Sequence, residues 1–374
     1  MEMYKFILRI FHEYGDPRHF SALFFLKEKQ DIISDIEQIV FDPKILIYKT
    51  LKNFNFNYMV KNVTSLFRSI SSYEMDAVNI VGMAPLHYFV HYFQRLNLKK
   101  KPIIYFTSWP YWNFEKRYGY WVHEYPLDLR KPWISFLKKV DATVCVTKAS
   151  YKALKRYSRN CFWIPHSVDT TLFKSREKSK EHDLIVVLFV GRLSEEKGVL
   201  ELIDVAKKIK SYRKNIEFWF VGQGPLGNYL GKLKDQLPIR CLGHIDNTIL
   251  PKVYQEADIL ILPSKRKRKW EELFGIVLIE AMSCSLPVIA SNHVGPREII
   301  THGYDGFLIQ SDPNLDRIGF VKEIIDYICL LTENIDLRRE IGRRGRRKVE
   351  QLYDIRVVAE KWWKVLERVV TLKR

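Results

Sequence analysis

The chain has 374 residues, 47% of them hydrophobic, with 61 Lys and Arg against 43 Asp and Glu, a formal net charge of +18. That length allows two domains with separate cores, and no uncharged apolar run approaches the roughly 20 residues needed to span a bilayer. The charge attracts anions, but it is spread along the chain in short clusters (99–101, 265–269 and 343–348), which argues against a dedicated nucleic-acid arm.

The first ten residues, with an acid at Glu2 and no long apolar core, predict a β-strand rather than a secretory leader. In the first half, Tyr4–Phe11, Ala77–Val81, Pro102–Phe106, Ala142–Thr147 and Cys161–Ile164 have the continuous apolar character of buried strands. Helical patterns lie between them, at Pro85–Leu96 and Lys148–Tyr157, while 28–56 follows no clear period. Residues 165–182 change character: Pro165-His166-Ser167-Val168-Asp169 leaves a strand, and 174–182 is dense in charge. The second half repeats the rhythm, with strands at Asp183–Val190, Ile216–Val221, Ile239–Leu242, Ala257–Leu262, Pro287–Ala290 and Gly306–Ile309, then helices from about 315 onward. Alternating strands and helices predict an α/β protein with two doubly wound parallel sheets. The domain expectation is 1–168, a linker at 169–182, 183–350, and a C-terminal helix at 351–374 able to cross back to the first domain. Five cysteines (Cys145, Cys161, Cys241, Cys284 and Cys329) show no metal-ligand or Cys-x-x-Cys spacing, which predicts free thiols in a reducing compartment. The Asn62-Val63-Thr64 sequon would carry no glycan there.

Ligands of open α/β sheets bind outside the carboxyl ends of the strands, so candidate residues should follow strands. After the strand at 183–190 come Gly191 and Arg192, then Lys197; a planar fork and a mobile ammonium can straddle a diphosphate, or serve as ordinary surface charges. After 216–221 comes Gly222-Gln223-Gly224, too short of glycines for a dinucleotide fingerprint. After 239–242 comes Gly243-His244-Ile245-Asp246, whose backbone can pair with a base edge. After 257–262 come Pro263-Ser264 and then Glu272-Leu273-Phe274-Gly275-Ile276, running to Glu280. A helix beginning near Phe274 leaves N–H groups for a phosphate and sets two glutamates apart by a sugar-to-ribose distance; the plainer reading is two solvated glutamates on an amphipathic helix.

These segments, from Phe189-Val190-Gly191-Arg192-Leu193 and Glu196-Lys197-Gly198 through Glu272-Leu273-Phe274-Gly275 and Glu280-Ala281 to Gly306-Phe307-Leu308, resemble the family 4 glycosyltransferases. Those are retaining enzymes of GT-B architecture, two Rossmann-like domains facing across a cleft. The resemblance covers roughly 164–309. It implies that Arg192 and Lys197 hold a donor diphosphate and stabilise the leaving charge without a metal or other cofactor. It further implies that Glu272 binds the transferred sugar, that Glu280 accepts from the ribose, and that N–H groups at Phe274–Ile276 meet the diphosphate or sugar. Gly191, Gly222, Ile245 and Ser264 complete the implied donor site. The donor would be a UDP- or GDP-sugar, and the acceptor a glycan, lipid-linked sugar or small molecule.

The first half departs from the family pattern. Gly15 stands where a glycine pair is common, and Thr107-Ser108-Trp109 where a histidine commonly follows the strand. These are the acceptor-side candidates, with His87, His123 and His166 as substitutes that also suit structural roles. The aromatic stretches 109–114 and 118–121 suit a sugar- or lipid-contacting wall or a packed cluster. The run Lys265–Lys269 is either a solvated loop or a contact with an anionic membrane, which places the protein in the cytoplasm or at the inner membrane face. A GT-B phosphorylase, or an inactive GT-B-like protein binding nucleic acid or a protein partner, is the alternative; retention of all four charged residues favours the transferase, with no nucleic-acid partner.

Overall fold

The computed structural model describes residues 5–13, 17–52, 56–71, 77–85, 87–98, 101–112, 129–175, 184–211, 213, 215–267 and 270–372. The chain divides into two compact units, 1–167 with 355–374, and 168–354.

Unit 1 is built on six strands: β1 (Phe6–His12), β2 (Ile33–Val40), β3 (Ala77–Gly82), β4 (Ile103–Thr107), β5 (Ala142–Cys145) and β6 (Cys161–Trp163). They form one parallel sheet in the order β2-β1-β3-β4-β5-β6. Every residue of β3, β4 and β5 is buried, as expected for central parallel strands covered on both faces. Its helices are α1 (Ser21–Lys29), α2 (Pro43–Lys52), α3 (Phe56–Ser71), α4 (Val90–Leu98), α5 (Arg130–Lys139) and α6 (Lys148–Leu154), joined by the chain-terminal α14 (Ile355–Leu372). The core on one face is aromatic. Trp133 is fully buried against Tyr105 at 5.5 Å and Phe136 at 5.6 Å, and its indole N–H donates to the His87 carbonyl. On another face Trp362 of α14 stacks on Phe106 at 6.0 Å, and α14 packs against α1.

Strand β2 is the element that the sequence concealed. It is an edge strand whose middle residues, Ser34 to Gln38, reach solvent, so the apolar run is broken by Asp35 and Glu37. Glu37 holds the buried Arg9 of β1 at 2.8 Å. Strand β5 stops at Cys145, short of the expected Thr147, because Thr147 caps α6: its side chain accepts from the Ser150 N–H at 3.0 Å. Pairing of β5 with β6 brings the Cys145 and Cys161 sulfurs to 3.5 Å, a proximity that linear spacing hides.

Unit 2 has its own parallel sheet: β7 (Ile185–Val190), β8 (Ile216–Val221), β9 (Ile239–Gly243), β10 (Ile259–Leu262), β11 (Val288–Ser291) and β12 (Phe307–Ile309), in the order β12-β11-β10-β7-β8-β9. The helices are α7 (Val199–Lys210), α8 (Gly227–Leu233), α9 (Leu250–Glu256), α10 (Ile276–Ser283), α11 (Val294–Ile299), α12 (Arg317–Glu333) and α13 (Ile335–Leu352). The chain runs outward from β7 through β8 and β9, then returns to β10 on the other side of β7. The carboxyl ends of β7 and β10 therefore flank the point where strand order reverses, which is where open α/β sheets hold ligands.

Glu13 follows β1, is 6% exposed, and accepts the Ala84 N–H. Burial pushes its carboxyl from 4.5 up to about 7, the Ala84 bond opposing and Asp42 adding to the rise. A folded-state value above the unfolded one means stability is lost as pH climbs between the two. Glu13→Gln should match wild type near about pH 4 and exceed it by up to about 3 kcal/mol near about pH 8, measured by denaturant unfolding across pH. Parallel pH profiles for the two proteins would show that the carboxyl is not held protonated.

Candidate active site

Three loops of unit 2 converge at the strand-order reversal. From β7 the chain passes Gly191 and Arg192, makes a single 3-10 turn at Glu195–Lys197, and enters α7 through Gly198. Gly198 has φ of +75°, and a Cβ there would stand 2.0 Å from the Pro263 carbonyl oxygen. This loop is thus pressed against the loop leaving β10, and the Lys265 N–H donates to the Glu196 carbonyl at 2.8 Å across the seam.

That contact sets Lys197 against Glu272. The ammonium donates to Glu272 Oε2 at 2.6 Å, and Ser264 Oγ donates to the same oxygen at 3.0 Å. Lys197 also lies over the Trp270 ring at 4.9 Å. The third loop, after β11, contributes His293, whose Nδ1 accepts the Glu272 N–H at 3.3 Å. Burial, partly offset by Glu271, lowers the His293 pKa, so the ring is neutral with its proton on Nε2. Beside it Ser291 Oγ, at the end of β11, is buried with no hydrogen-bond partner. Glu272 Oε1 takes part in none of these bonds.

Gly275 precedes helix α10, its φ of +91° turns the chain, and no side chain caps the N–H groups of the first turn. Phe274 is buried, packing edge-on to Tyr353 at 6.1 Å, and Ile276 opens the first turn. Glu280 lies in the second turn, 4% exposed, and accepts from the fully buried Tyr254 hydroxyl at 2.8 Å. It is an interior carboxylate, not a solvated one. Arg192 is exposed on the first loop. Gly222 follows β8 and donates its N–H to Gly243 at 2.7 Å, while Ile245 is half-buried in the loop after β9.

The residues brought into direct contact are Lys197, Ser264 and Glu272, with His293 and Trp270 joining them unforeseen. His293 stands in the loop after β11, and no local motif singles out its ring. On unit 1, Thr107 closes β4 and its Oγ1 accepts the Trp109 N–H at 3.0 Å; Ser108 lies between them, half-buried. Trp112 is 2% exposed and packs edge-on to Tyr105 at 5.8 Å, so this part of the aromatic stretch is core. Gly15, His123, 113–114 and 118–121 lie outside the described residues. His166 stacks on His19 at 4.7 Å, which in turn contacts His12 at 3.4 Å.

The basic run is not an open cationic strip. Lys265 is buried with Glu201 at 2.9 Å, Arg266 pairs with Glu271 at 3.1 Å, and Lys267 with Glu195 at 3.1 Å; Arg268 and Lys269 lie outside the described residues.

Residues 171–348 match the model of the family "Glycosyl transferases group 1". An uncharacterized glycosyltransferase of Methanocaldococcus jannaschii is 37% identical over 133 residues, 34% of this chain and 33% of that protein. The phosphatidyl-myo-inositol mannosyltransferase of Mycobacterium tuberculosis is 30% identical over 213 residues, 55% of this chain and 53% of its own length. The chain spans a third to about half of the curated relatives it matches. Among solved structures, Anabaena HepE in complex with UDP superposes with a TM-score of 0.67 at 17% identity, covering 97% of this chain and 99% of that one. Sucrose-phosphate synthase from Thermosynechococcus elongatus gives 0.67 at 15% identity, covering 98% and 100%. These structural likenesses show that the fold is GT-B.

Gly198→Ala should destabilise the protein by about 1–3 kcal/mol through strain at the seam. Gly231→Ala, in α8 with nothing within 4 Å of the added methyl, should stabilise it by about 0.5–1 kcal/mol. Thermal unfolding of the two variants distinguishes a tight seam from a loose one.

Proposed function

We propose that the protein is a retaining glycosyltransferase whose unit 2 holds a nucleotide-sugar donor, acting without a metal. The observation that carries this reading is the contact of Lys197, Glu272 and Ser264 at the strand-order reversal, within segments that match the group 1 family. A cation there compensates charge that develops on a departing diphosphate, and Arg192 on the same loop adds a second. The uncapped N-terminus of α10 at Phe274–Ile276 offers N–H groups to the same anion. Glu272 Oε2 is occupied by Lys197 and Ser264, which leaves Oε1 to accept from hydroxyls of the sugar. Glu280, one oxygen fixed by Tyr254, accepts from the ribose; Gly191, Gly222 and Ile245 border the nucleotide. In the reaction the bond from the anomeric carbon to the diphosphate oxygen breaks and the acceptor oxygen bonds that carbon. The acceptor proton leaves on the released diphosphate.

A UDP-sugar is the favoured donor because HepE was solved with UDP and with UDP-glucose. The acceptor is a glycan, lipid-linked sugar or small molecule, a range matched by relatives named for capsular polysaccharide biosynthesis and for phosphatidyl-myo-inositol. Thr107, Ser108 and Trp109 of unit 1 are proposed on the acceptor side, in a protein working in the cytoplasm or at its membrane face.

A thermal-shift screen over UDP- and GDP-sugars should give one donor that stabilises the fold by about 2.7 kcal/mol at 100-fold excess over its Kd. With that donor, Lys197→Ala and Glu272→Gln should each lower nucleotide release by about 10²–10³-fold, while Arg192→Ala acts mainly on KM. A screen with no stabilising nucleotide sugar and no release would overturn the assignment.

A further inference from the structure

Helices α2 and α3 carry the largest concentration of exposed apolar side chains among the described residues of unit 1. On α3, Phe56 (62% exposed), Val60, Val63 and Phe67 (67% exposed) recur at steps of four, three and four, so they line one stripe of the helix. On α2, Ile47, Tyr48 and Leu51 are likewise more than half exposed, and α2 packs against α3. The opposite side of α3 is anchored: Asn62 is buried and accepts the Val40 N–H of β2 at 2.7 Å, while Leu66 packs against the unit 1 core. The pair is therefore a fixed part of the unit with an apolar stripe presented outward. Scattered exposed hydrophobics need no explanation, whereas seven on two adjoining helices do.

The charge pattern decides the occupant. From residue 43 to residue 73 the sequence has five basic residues, Lys44, Lys49, Lys52, Lys61 and Arg68, and no Asp or Glu. Lys61 is exposed beside the stripe. Asp42 directly precedes α2, and Asp35, near enough to Lys61 to feel its charge, already bonds Lys27 at 2.6 Å and is held below its ordinary range by Lys27 chiefly, with Lys61 contributing. An apolar and aromatic stripe on a segment whose own charges are all basic fits an anionic bilayer surface, where rings and aliphatics enter the acyl boundary and ammonium groups meet lipid phosphates. A nucleic-acid backbone would leave Ile47, Leu51, Val60 and Val63 without a partner. The 265–269 run, by contrast, is tied to Glu201, Glu271 and Glu195 over its described part.

We propose that the α2–α3 face docks the protein peripherally on an anionic membrane surface. This stands apart from the transferase reading, since neither helix contributes to the site on unit 2.

The test is co-sedimentation of the full chain with phosphatidylglycerol vesicles and with phosphatidylcholine vesicles, using wild type, Phe56→Ser/Phe67→Ser and Ile47→Ser/Leu51→Ser. Wild type should bind the anionic vesicles about tenfold or more tightly than the zwitterionic ones and release in high salt. Each double variant should lose about tenfold in binding, with an unchanged thermal midpoint showing that it is folded. No binding by wild type, or equal binding by the variants, overturns the proposal. So does a dimer, or a complex with a DNA oligomer, that the same substitutions dissolve while vesicles are ignored. Donor-dependent nucleotide release, measured alongside without vesicles, should be unaffected by either variant, so failure of docking and failure of the transferase reading are separable.

Discussion

The ion pair between Lys197 and Glu272 is the constraint from which the rest of unit 2 follows. Both side chains are largely withdrawn from water, at 22% and 11% exposure, and such a pair is tolerated only when geometry and extra hydrogen bonds offset desolvation. Here the extra bonds come from Ser264 on the carboxylate and His293 on the Glu272 backbone. Meeting that demand brings together loops that follow β7, β10 and β11. The tight approach of Gly198 to Pro263 is the steric counterpart of the same requirement. A cation held this way is already stripped of much of its water, so little reorganisation is needed when negative charge appears beside it.

The two units share a parallel six-stranded plan but differ at their carboxyl edges. Unit 2 ends its central strands in glycine, serine and opposite charges that neutralise one another. Unit 1 ends its own in His12, Glu13 and Thr107, with the Glu13 carboxyl pushed up to about 7 by burial. One edge carries paired opposite charges, and the other a carboxyl whose ionisation burial opposes. The same backbone architecture thus offers chemically distinct surfaces through a handful of loop residues.

Much of unit 2 was legible because four of its strands, β7, β10, β11 and β12, are fully buried. Ile216–Val221 is recovered to the residue, and the remaining strands differ at their ends by one or two positions. The motifs of Arg192, Lys197, Glu272 and Glu280 were visible for the same reason, each following an unmistakable apolar run. What stayed hidden depends on partners remote in sequence. Nothing local marks His293 as a support for Glu272, or Tyr254 as the hydroxyl that meets Glu280. Strand β2 escaped because an edge strand need bury only its ends, here Ile33, Ile39 and Val40. The pairing of the basic run was hidden for a third reason: Glu195 and Glu201 come from the 3-10 turn and α7, remote in sequence, and Glu271 from later in the same loop.

Unit 2 enters and leaves at neighbouring points. Val168 forms a bridge with Asp354, its N–H donates to the Tyr353 carbonyl at 2.9 Å, and Asp354 accepts from Thr170 at 2.5 Å. Topologically the unit is an insertion: a module spliced into another chain with its two ends stapled side by side. Its closure is internal, since the contacts that join its two ends lie within the unit. It also makes unit 2 a cassette whose two ends meet, the form in which recombination moves a module between hosts intact.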